Sequence, residues 1–344
     1  MYFIGVDHHK QASVMTILEA DGRELKNGRV LNLREKVERF LAEYHPFTAV
    51  LEAGRSSYVM ADLLRELGGE VKMANAAQVK AIAHARIKTD KRDSRVLAHL
   101  LRADLIPEVY QRGEWNRRAQ RVMRLRAYWV AKQTEVKNKI RALLAQQREE
   151  IRLEVEKHEA GLFTLKGIEF LRTLRLRDPD KMVMEDLIRG CEEAQTHIRR
   201  TDGVVRALYG EMEEAARIDT VPGFATTLSV LVAVEIADIK RFPTVSDLHS
   251  YAGVIPSTYA SGERTHHGRI TKQGSAWLRW AVLEAAYPAI KKDLSLRVLY
   301  NRLAKRKGAN VAKIVVARRL LTIIYRVLTE KREYYPDKMK QSAA

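Results

Sequence analysis

Four acidic residues in the first third of the chain are candidates for metal chemistry. Asp7 and Glu52 each end a short apolar segment, and Asp90 and Asp93 lie three residues apart in a helical pattern, hence on one face. Carboxylates that meet need a counter-charge. Two Mg²⁺ ions about 3.5 to 4 Å apart would supply it and would activate the attacking and leaving oxygens of a phosphodiester. The alternative for each acid alone is a helix cap or a solvated side chain.

A serine among cations is the second candidate. Ser261 lies in a polar segment, 259–269, which the glycine punctuation predicts to be a loop. The cations near it in the sequence are Arg264, Arg269, Lys272 and Arg279. They could hold a phosphate and stabilise charge on a nucleophilic serine oxygen. In the alternative interpretation the segment is a surface loop and Ser261 makes a turn hydrogen bond.

Two further features of the last third are less specific. His266 and His267 are adjacent and so point apart, which makes them a poor pair of metal ligands and leaves them as DNA-facing or general-acid candidates. The turn that ends at Gly223 enters a predicted helix. Backbone N–H groups at a helix N-terminus bind phosphate, so Gly223 belongs either to a nucleic-acid contact or to a tight connection.

The elements that must position these residues begin with an α/β pattern. Three strands are predicted first, at 2–6, 13–18 and 28–31, and strands and helices alternate after them up to a helix over 90–102. Asp21-Gly22 is a hairpin signal between the second and third strands. The pattern predicts an α/β domain over residues 1–111.

Long helical patterns follow. Apolar residues spaced by threes, fours and sevens run through 122–143 and again through 187–212, which suits a coiled-coil seam in an antiparallel hairpin or an amphipathic helix of an ordinary bundle. These patterns predict a helical region over 112–217. A mostly helical domain over 218–344 follows and ends in a helix at 310–329.

Charge indicates the partner. The 344 residues carry a net charge of +18, and residues 112–148 contain 11 Lys and Arg but 2 Asp and Glu. Such a surplus favours nucleic acid over a membrane surface. Arg121, Arg124 and Lys132 are therefore predicted to contact phosphates, the alternative being the solvated face of a helix. One cysteine and no apolar run of membrane length predict a cytoplasmic protein without a membrane partner.

The order of several short motifs along the chain is itself informative. The motifs are Asp7, Leu51-Glu52-Ala53, 88–94 with Asp90 and Asp93, Val221-Pro222-Gly223, Ile255-Pro256, Ser261-Gly262, 268–274 and the basic helix 312–325. In this order they resemble the DEDD-type insertion-sequence transposases, the group that also includes Piv-like DNA invertases. The resemblance covers nearly the whole chain.

The resemblance implies a RuvC-like domain of the RNase H fold, a coiled-coil insertion and a C-terminal transposase domain that supplies a serine nucleophile. It assigns Mg²⁺ to Asp7, Glu52, Asp90 and Asp93, and the nucleophile to Ser261. It also implies a homo-oligomer, dimer or tetramer, that works with a noncoding bridge RNA encoded by the element and paired to donor and target DNA. Relatives commonly carry two serines followed by glycines and a lysine, whereas this chain has one serine, followed by Gly262 and Glu263.

Three functions remain open from the sequence. The first is a site-specific recombinase that forms a serine-linked DNA intermediate with Mg²⁺. The second is a junction-resolving nuclease of the RNase H fold, which needs the acids but no serine. The third is a nucleic-acid-binding protein without catalysis.

Overall fold

The computed structural model describes residues 1–82, 89–261 and 264–336, and for residues 258–267 it describes no side chains. The chain separates into two compact units, Met1–Gln111 and Arg112–Ala344. Within the described part of the chain, no helix combines the length and apolar composition that a membrane span requires.

The first unit is built on one mixed sheet. Its strands are β1 (Tyr2–His8), β2 (Ala12–Leu18), β3 (Glu24–Leu31), β4 (Phe47–Glu52) and β5 (Glu70–Ala74). The order is β3-β2-β1-β4-β5, in which β1, β2 and β3 pair antiparallel and β1, β4 and β5 pair parallel. Gly22, with a φ of +95°, lies in the turn from β2 to β3. The predicted α/β domain is confirmed.

Close packing of one helix fixes the geometry of this unit. Its helices are α1 (Arg34–Leu41), α2 (Ser57–Glu66), α3 (Ala76–Ile82) and α4 (Asp90–Arg102). Helix α4 packs on β1 at Gly5, where an added Cβ would lie 2.0 Å from the Ser94 carbonyl oxygen. The Ser94 and Thr16 hydroxyls, both buried, share a hydrogen bond of 2.8 Å. Because Gly5 has no side chain, the start of α4 can reach the end of β1.

Two helices of 32 residues each open the second unit, α5 (Glu114–Ala145) and α8 (Asp180–Glu211). Arg126, in the first half of α5, pairs with Asp202, in the second half of α8. Gln147, just after α5, donates to Asp180 at the start of α8, so the helices run antiparallel. The predicted pair is present. The connection is more than a turn, since it contains α6 (Glu149–Glu156), a short 3₁₀ helix (Glu159–Gly161) and α7 (Leu165–Thr173). A coiled-coil seam stays a prediction.

The rest of the unit is mostly helical, as predicted. Its helices are α9 (Glu213–Asp219), α10 (Thr226–Ile236), a 3₁₀ turn (Ile239–Arg241), α11 (Val245–Ala252), α12 (Ala276–Lys292), α13 (Leu294–Lys307) and α14 (Ala309–Thr329). One hydrophobic core joins these helices to Ala119 and Met123 of α5 and to Val205 of α8. The expected boundary between residues 217 and 218 falls inside α9, and residues on both sides of it belong to the same hydrophobic core. A separate domain over residues 218–344 stays a prediction.

The segment predicted to be a loop around Ser261 is a β-hairpin, and that prediction is wrong. Strands β6 (Pro256–Ser261) and β7 (Arg264–Ile270) pair antiparallel, with Ser261 opposite Arg264. Two residues beginning with a glycine lie between these partners in the sequence, which is a usual signal of a two-residue hairpin connection.

Candidate active site

Three elements of the first unit carry the predicted metal ligands. Asp7 lies on β1, Glu52 is the last residue of the parallel neighbour β4, and Asp90 and Asp93 occupy the first turn of α4. Thr89 caps α4 by accepting a hydrogen bond from the Arg92 N–H, so the helix begins at Asp90 and both acids lie in its first turn. Asp7 and Glu52 therefore lie at the same end of the sheet.

The side chains that meet there include a histidine. Ligand atoms of Asp7, His9 and Asp90 all lie within 4.8 Å of one another, the only such group among the described residues. His9 Nε2 is 3.2 Å from Asp7 Oδ2 and 3.4 Å from Asp90 Oδ2. Glu52 and Asp93 are not part of this tight group. His9 was not among the residues predicted from the sequence, although its position two residues beyond Asp7 was a signal.

The charges around Asp7 suit a cation. Burial raises the pKa of the Asp7 carboxyl, the charge and hydrogen bond of His9 lower it, and the negative charges of Asp90 and Asp93 raise it further, with a net rise. Carboxylate oxygens and an imidazole nitrogen are ligands for divalent metals. The donor set therefore fits a divalent ion held by Asp7 and Asp90.

Metal affinity at this site is expected to fall as the pH is lowered, and to begin falling at a higher pH than for an ordinary aspartate. The raised pKa of Asp7 means that protons compete with the metal earlier. Calorimetric titration with Mn²⁺ at several pH values measures the effect. Asp7→Asn should bind weakly, with little dependence on pH over the range in which Asp7 titrates. A wild-type affinity that stays constant over this range would contradict the expectation.

The second candidate group lies around the β-hairpin. The backbone of Ser261 ends β6, while its side chain and those of Arg264, His266 and His267 lie outside the described residues. Arg269 and Lys272 are exposed, and Lys272 has a φ of +53°.

Arg279 has a structural partner. It is half-buried and donates a hydrogen bond of 3.0 Å to the Ala252 carbonyl. Its phosphate-binding role stays a prediction, as do those of Arg264, Arg269 and Lys272.

Packing accounts for the glycine before α10. Gly223 has a φ of +93°, and an added Cβ would lie 2.2 Å from the Ala285 carbonyl oxygen of α12. These facts favour the tight connection as the reason for glycine at this position. Phosphate binding at Gly223 stays a prediction.

The three predicted phosphate contacts on α5 differ in their surroundings. Arg121 is exposed, and Lys132 is exposed and pairs with Glu135 at 2.9 Å. Arg124 donates to the buried Glu235 at 2.8 Å, and its guanidinium lies 5.1 Å from the centre of the Trp277 ring. These contacts favour a structural role for Arg124, and its contact with phosphates stays a prediction.

Comparisons with known proteins match two parts of this chain to transposase domains. Residues 4–148 match the family model of DEDD transposases of IS110 type, described as "Transposase", and residues 215–301 match the model described as "Transposase IS116/IS110/IS902 family". A probable family 20 transposase of Pseudomonas aeruginosa is 26% identical over 352 residues, which cover 97% of this chain and 98% of that protein.

Two other relatives extend the comparison. The transposase for insertion sequence element IS1328 of Yersinia enterocolitica is 22% identical over 95% of this chain and 96% of its own length. The pilin gene-inverting protein of Moraxella bovis is 30% identical over 130 residues, which cover 35% of this chain and 38% of that protein.

The matches to transposase domain models and to transposases, together with the mixed sheet and the mostly helical second unit, identify a transposase, an enzyme that cleaves DNA and transfers its strands. Two segments of this chain match transposase domain models of the IS110/IS116 family.

Proposed function

We propose that this transposase is an RNA-guided, site-specific recombinase that cuts and rejoins DNA through a serine-linked intermediate with the assistance of Mg²⁺. The single observation that carries the proposal is the group formed by Asp7, His9 and Asp90 at the end of the sheet. The alternatives are a junction-resolving nuclease that forms no covalent intermediate and a nucleic-acid-binding protein without catalysis.

The metal would be held by Asp7, Glu52, Asp90 and Asp93. Mg²⁺ bound to such carboxylates polarises phosphodiester oxygens and stabilises the charge that develops on them. His9 lies against both Asp7 and Asp90, so it orients these two carboxylates. The close packing of α4 on Gly5 holds Asp90 at the level of Asp7.

Ser261 would attack the phosphorus of one DNA strand. A bond forms between the serine oxygen and phosphorus, and the bond from phosphorus to a sugar oxygen breaks. The serine hydroxyl loses a proton, and the departing sugar oxygen takes one up to become a hydroxyl. The phosphoserine ester conserves the energy of the phosphodiester, so rejoining to a new partner needs no ATP. Two exposed residues are candidates to neutralise the phosphate: Arg269, which lies on β7, and Lys272, two residues after the end of β7.

The nucleic-acid partners are donor DNA, target DNA and a bridge RNA encoded by the element. Base pairing with RNA reads sequence, so the protein needs broad surfaces that bind backbones. The basic stretch 112–148, with its exposed Arg121 and Lys132, is the surface we assign to this task. Strand exchange between two DNA molecules involves several ends, for which a dimer or tetramer of this chain is the simplest arrangement.

An adduct assay separates the three functions. The purified protein is incubated with Mg²⁺, labelled donor and target DNA and the RNA transcribed from the flanking element, and then denatured. A recombinase yields labelled DNA that stays attached to protein and recombinant product. A metal nuclease yields cut DNA without attachment, and a binding protein yields neither.

The double variant Arg121→Gln/Lys132→Gln is expected to bind nucleic acid more weakly, and its affinity should depend less on salt concentration. Each lost phosphate contact lowers the slope of log affinity against log salt by about 0.7 to 0.9, because fewer counterions are released. Filter binding at several salt concentrations gives the slope. Arg124 is left unchanged because its partner Glu235 is internal.

A matched control for this double variant lies on α8. Arg189 is exposed and pairs with Asp186 on the same helix. Arg189→Gln should keep the wild-type slope. An unchanged slope in the double variant would assign Arg121 and Lys132 to a solvated helix face.

A further inference from the structure

A buried carboxylate lies at the centre of the second unit. Glu235, the residue before the end of α10, is 2% exposed. Its Oε1 accepts from Gln120 at 3.0 Å and from Arg124 at 2.8 Å, and its Oε2 accepts from Ser275 at 2.9 Å. Arg112 donates to the Glu235 carbonyl at 3.0 Å and lies 3.4 Å from Oε2. One side chain thus connects α5 to the start of α12.

Ser275 connects this carboxylate to the base of the β-hairpin. It caps α12 by accepting from the Leu278 N–H at 3.1 Å, and its own N–H donates to the Tyr251 carbonyl at 2.7 Å. It follows β7 by a short segment, in which the Thr271 N–H donates to the Ile255 carbonyl just before β6. The position of Ser275 therefore influences where both strands of the hairpin start and end.

A second connection reaches the same place through Tyr251. The Tyr251 hydroxyl accepts from Arg112 at 2.6 Å, and the Arg241 guanidinium lies 4.3 Å from the centre of the Tyr251 ring. Gly274 lies directly against the Tyr251 backbone, since an added Cβ would be 2.2 Å from its carbonyl oxygen. Two sets of contacts therefore connect the basic start of the second unit to the base of the hairpin, one through Glu235 and Ser275 and the other through Tyr251.

A charged group is a costly way to fill a core. Replacement of buried ion pairs by apolar side chains is often neutral or stabilising, whereas in some proteins a buried polar group fixes a unique geometry. Five side chains donate to the Glu235 carboxylate or backbone carbonyl, namely those of Arg112, Gln120, Arg124, Arg241 and Ser275, and their directions are specific. These directional hydrogen bonds are better suited to holding the neighbouring elements in one orientation than to increasing the stability of the fold.

We infer that Glu235 is a positioning residue, which through Ser275 sets the orientation of the β6–β7 hairpin and so of Ser261 relative to the basic helix α5. This inference rests on the proposed function, because it takes Ser261 as the nucleophile. Nucleic acid bound along α5 is thereby held in a fixed relation to the serine. Neither Glu235 nor Ser275 touches the reacting atoms.

The test compares helix caps with and without a bond to Glu235. Ser275→Ala removes the cap of α12 and the bond to Glu235, whereas Thr244→Ala removes the cap of α11, which has no such bond. We expect Ser275→Ala to slow adduct formation about tenfold or more at unchanged nucleic-acid affinity, because small misplacements of reacting groups are costly. Thr244→Ala should form adduct at the wild-type rate despite a lower Tm.

Two further variants separate positioning from stability. Ser275→Thr keeps the hydroxyl and should restore the rate. Ser275→Gly keeps an acceptable helix cap but loses the bond to Glu235, so it should stay folded and remain slow. The inference is overturned if Ser275→Gly reacts at the wild-type rate, if Ser275→Thr is as slow as Ser275→Ala, or if Thr244→Ala is slowed equally. Absence of any adduct with wild-type protein would instead contradict the proposed function.

Discussion

Ser261→Ala is expected to bind RNA and DNA with unchanged affinity and to form no covalent protein–DNA adduct. The change removes the proposed nucleophilic oxygen and leaves the basic surfaces and the acidic site intact. Removal of a nucleophile of this kind costs at least about a thousandfold in rate. Gel electrophoresis under denaturing conditions detects the adduct, and filter binding measures the affinity.

Ser257→Ala is the matched control, because Ser257 lies on the same strand. Its hydroxyl donates to the Arg269 carbonyl at 3.0 Å, so it has a structural partner across the hairpin. This variant should still form adduct. Adduct formed by Ser261→Ala, or lost in Ser257→Ala, would show that another serine is the nucleophile.

Loss of any one acid of the candidate metal site is expected to abolish strand cleavage. Asp7→Ala, Glu52→Ala, Asp90→Ala and Asp93→Ala should each lower the cleavage rate by at least about a hundredfold, since each deletes a proposed metal ligand. RNA binding should persist, because little basic surface is lost. Cleavage of labelled DNA and calorimetric titration with Mn²⁺ measure the two effects.

Asp104 provides the control for these acids. It follows α4, its side chain is 89% exposed, and it pairs with Lys72. Asp104→Asn should cleave normally. In the wild-type protein, Ca²⁺ in place of Mg²⁺ should permit assembly but slow cleavage, because Ca²⁺ accepts looser and higher coordination. Normal recombination in two or more of the four alanine variants would contradict the metal site.

The strand ends and the helix face that carry the four acids could be predicted from the sequence because their signals are local. Apolar runs that end at Asp7 and Glu52 predict strand ends, and the spacing of Asp90 and Asp93 predicts one helix face. The observed order of the strands brings these ends together. His9 was missed because its contact with Asp90 depends on how α4 packs on the sheet.

The interior of the second unit could not be predicted in the same way. Arg112 and Glu235 are 123 residues apart in the chain, and neither carries a motif that points to the other. The charge of Arg124 predicted a surface contact, whereas its guanidinium donates to a buried carboxylate. Composition reports how many charges a segment has, but only tertiary packing decides which of them face solvent.

The length of α5 and α8 has a geometric consequence. A helix of 32 residues with a rise of about 1.5 Å per residue is about 48 Å long. At about 3.4 Å per base step this distance corresponds to about 14 base pairs of duplex, which is more than one turn. A duplex lying parallel to this helix pair would bring the phosphates of the same strand to the protein at two separate points.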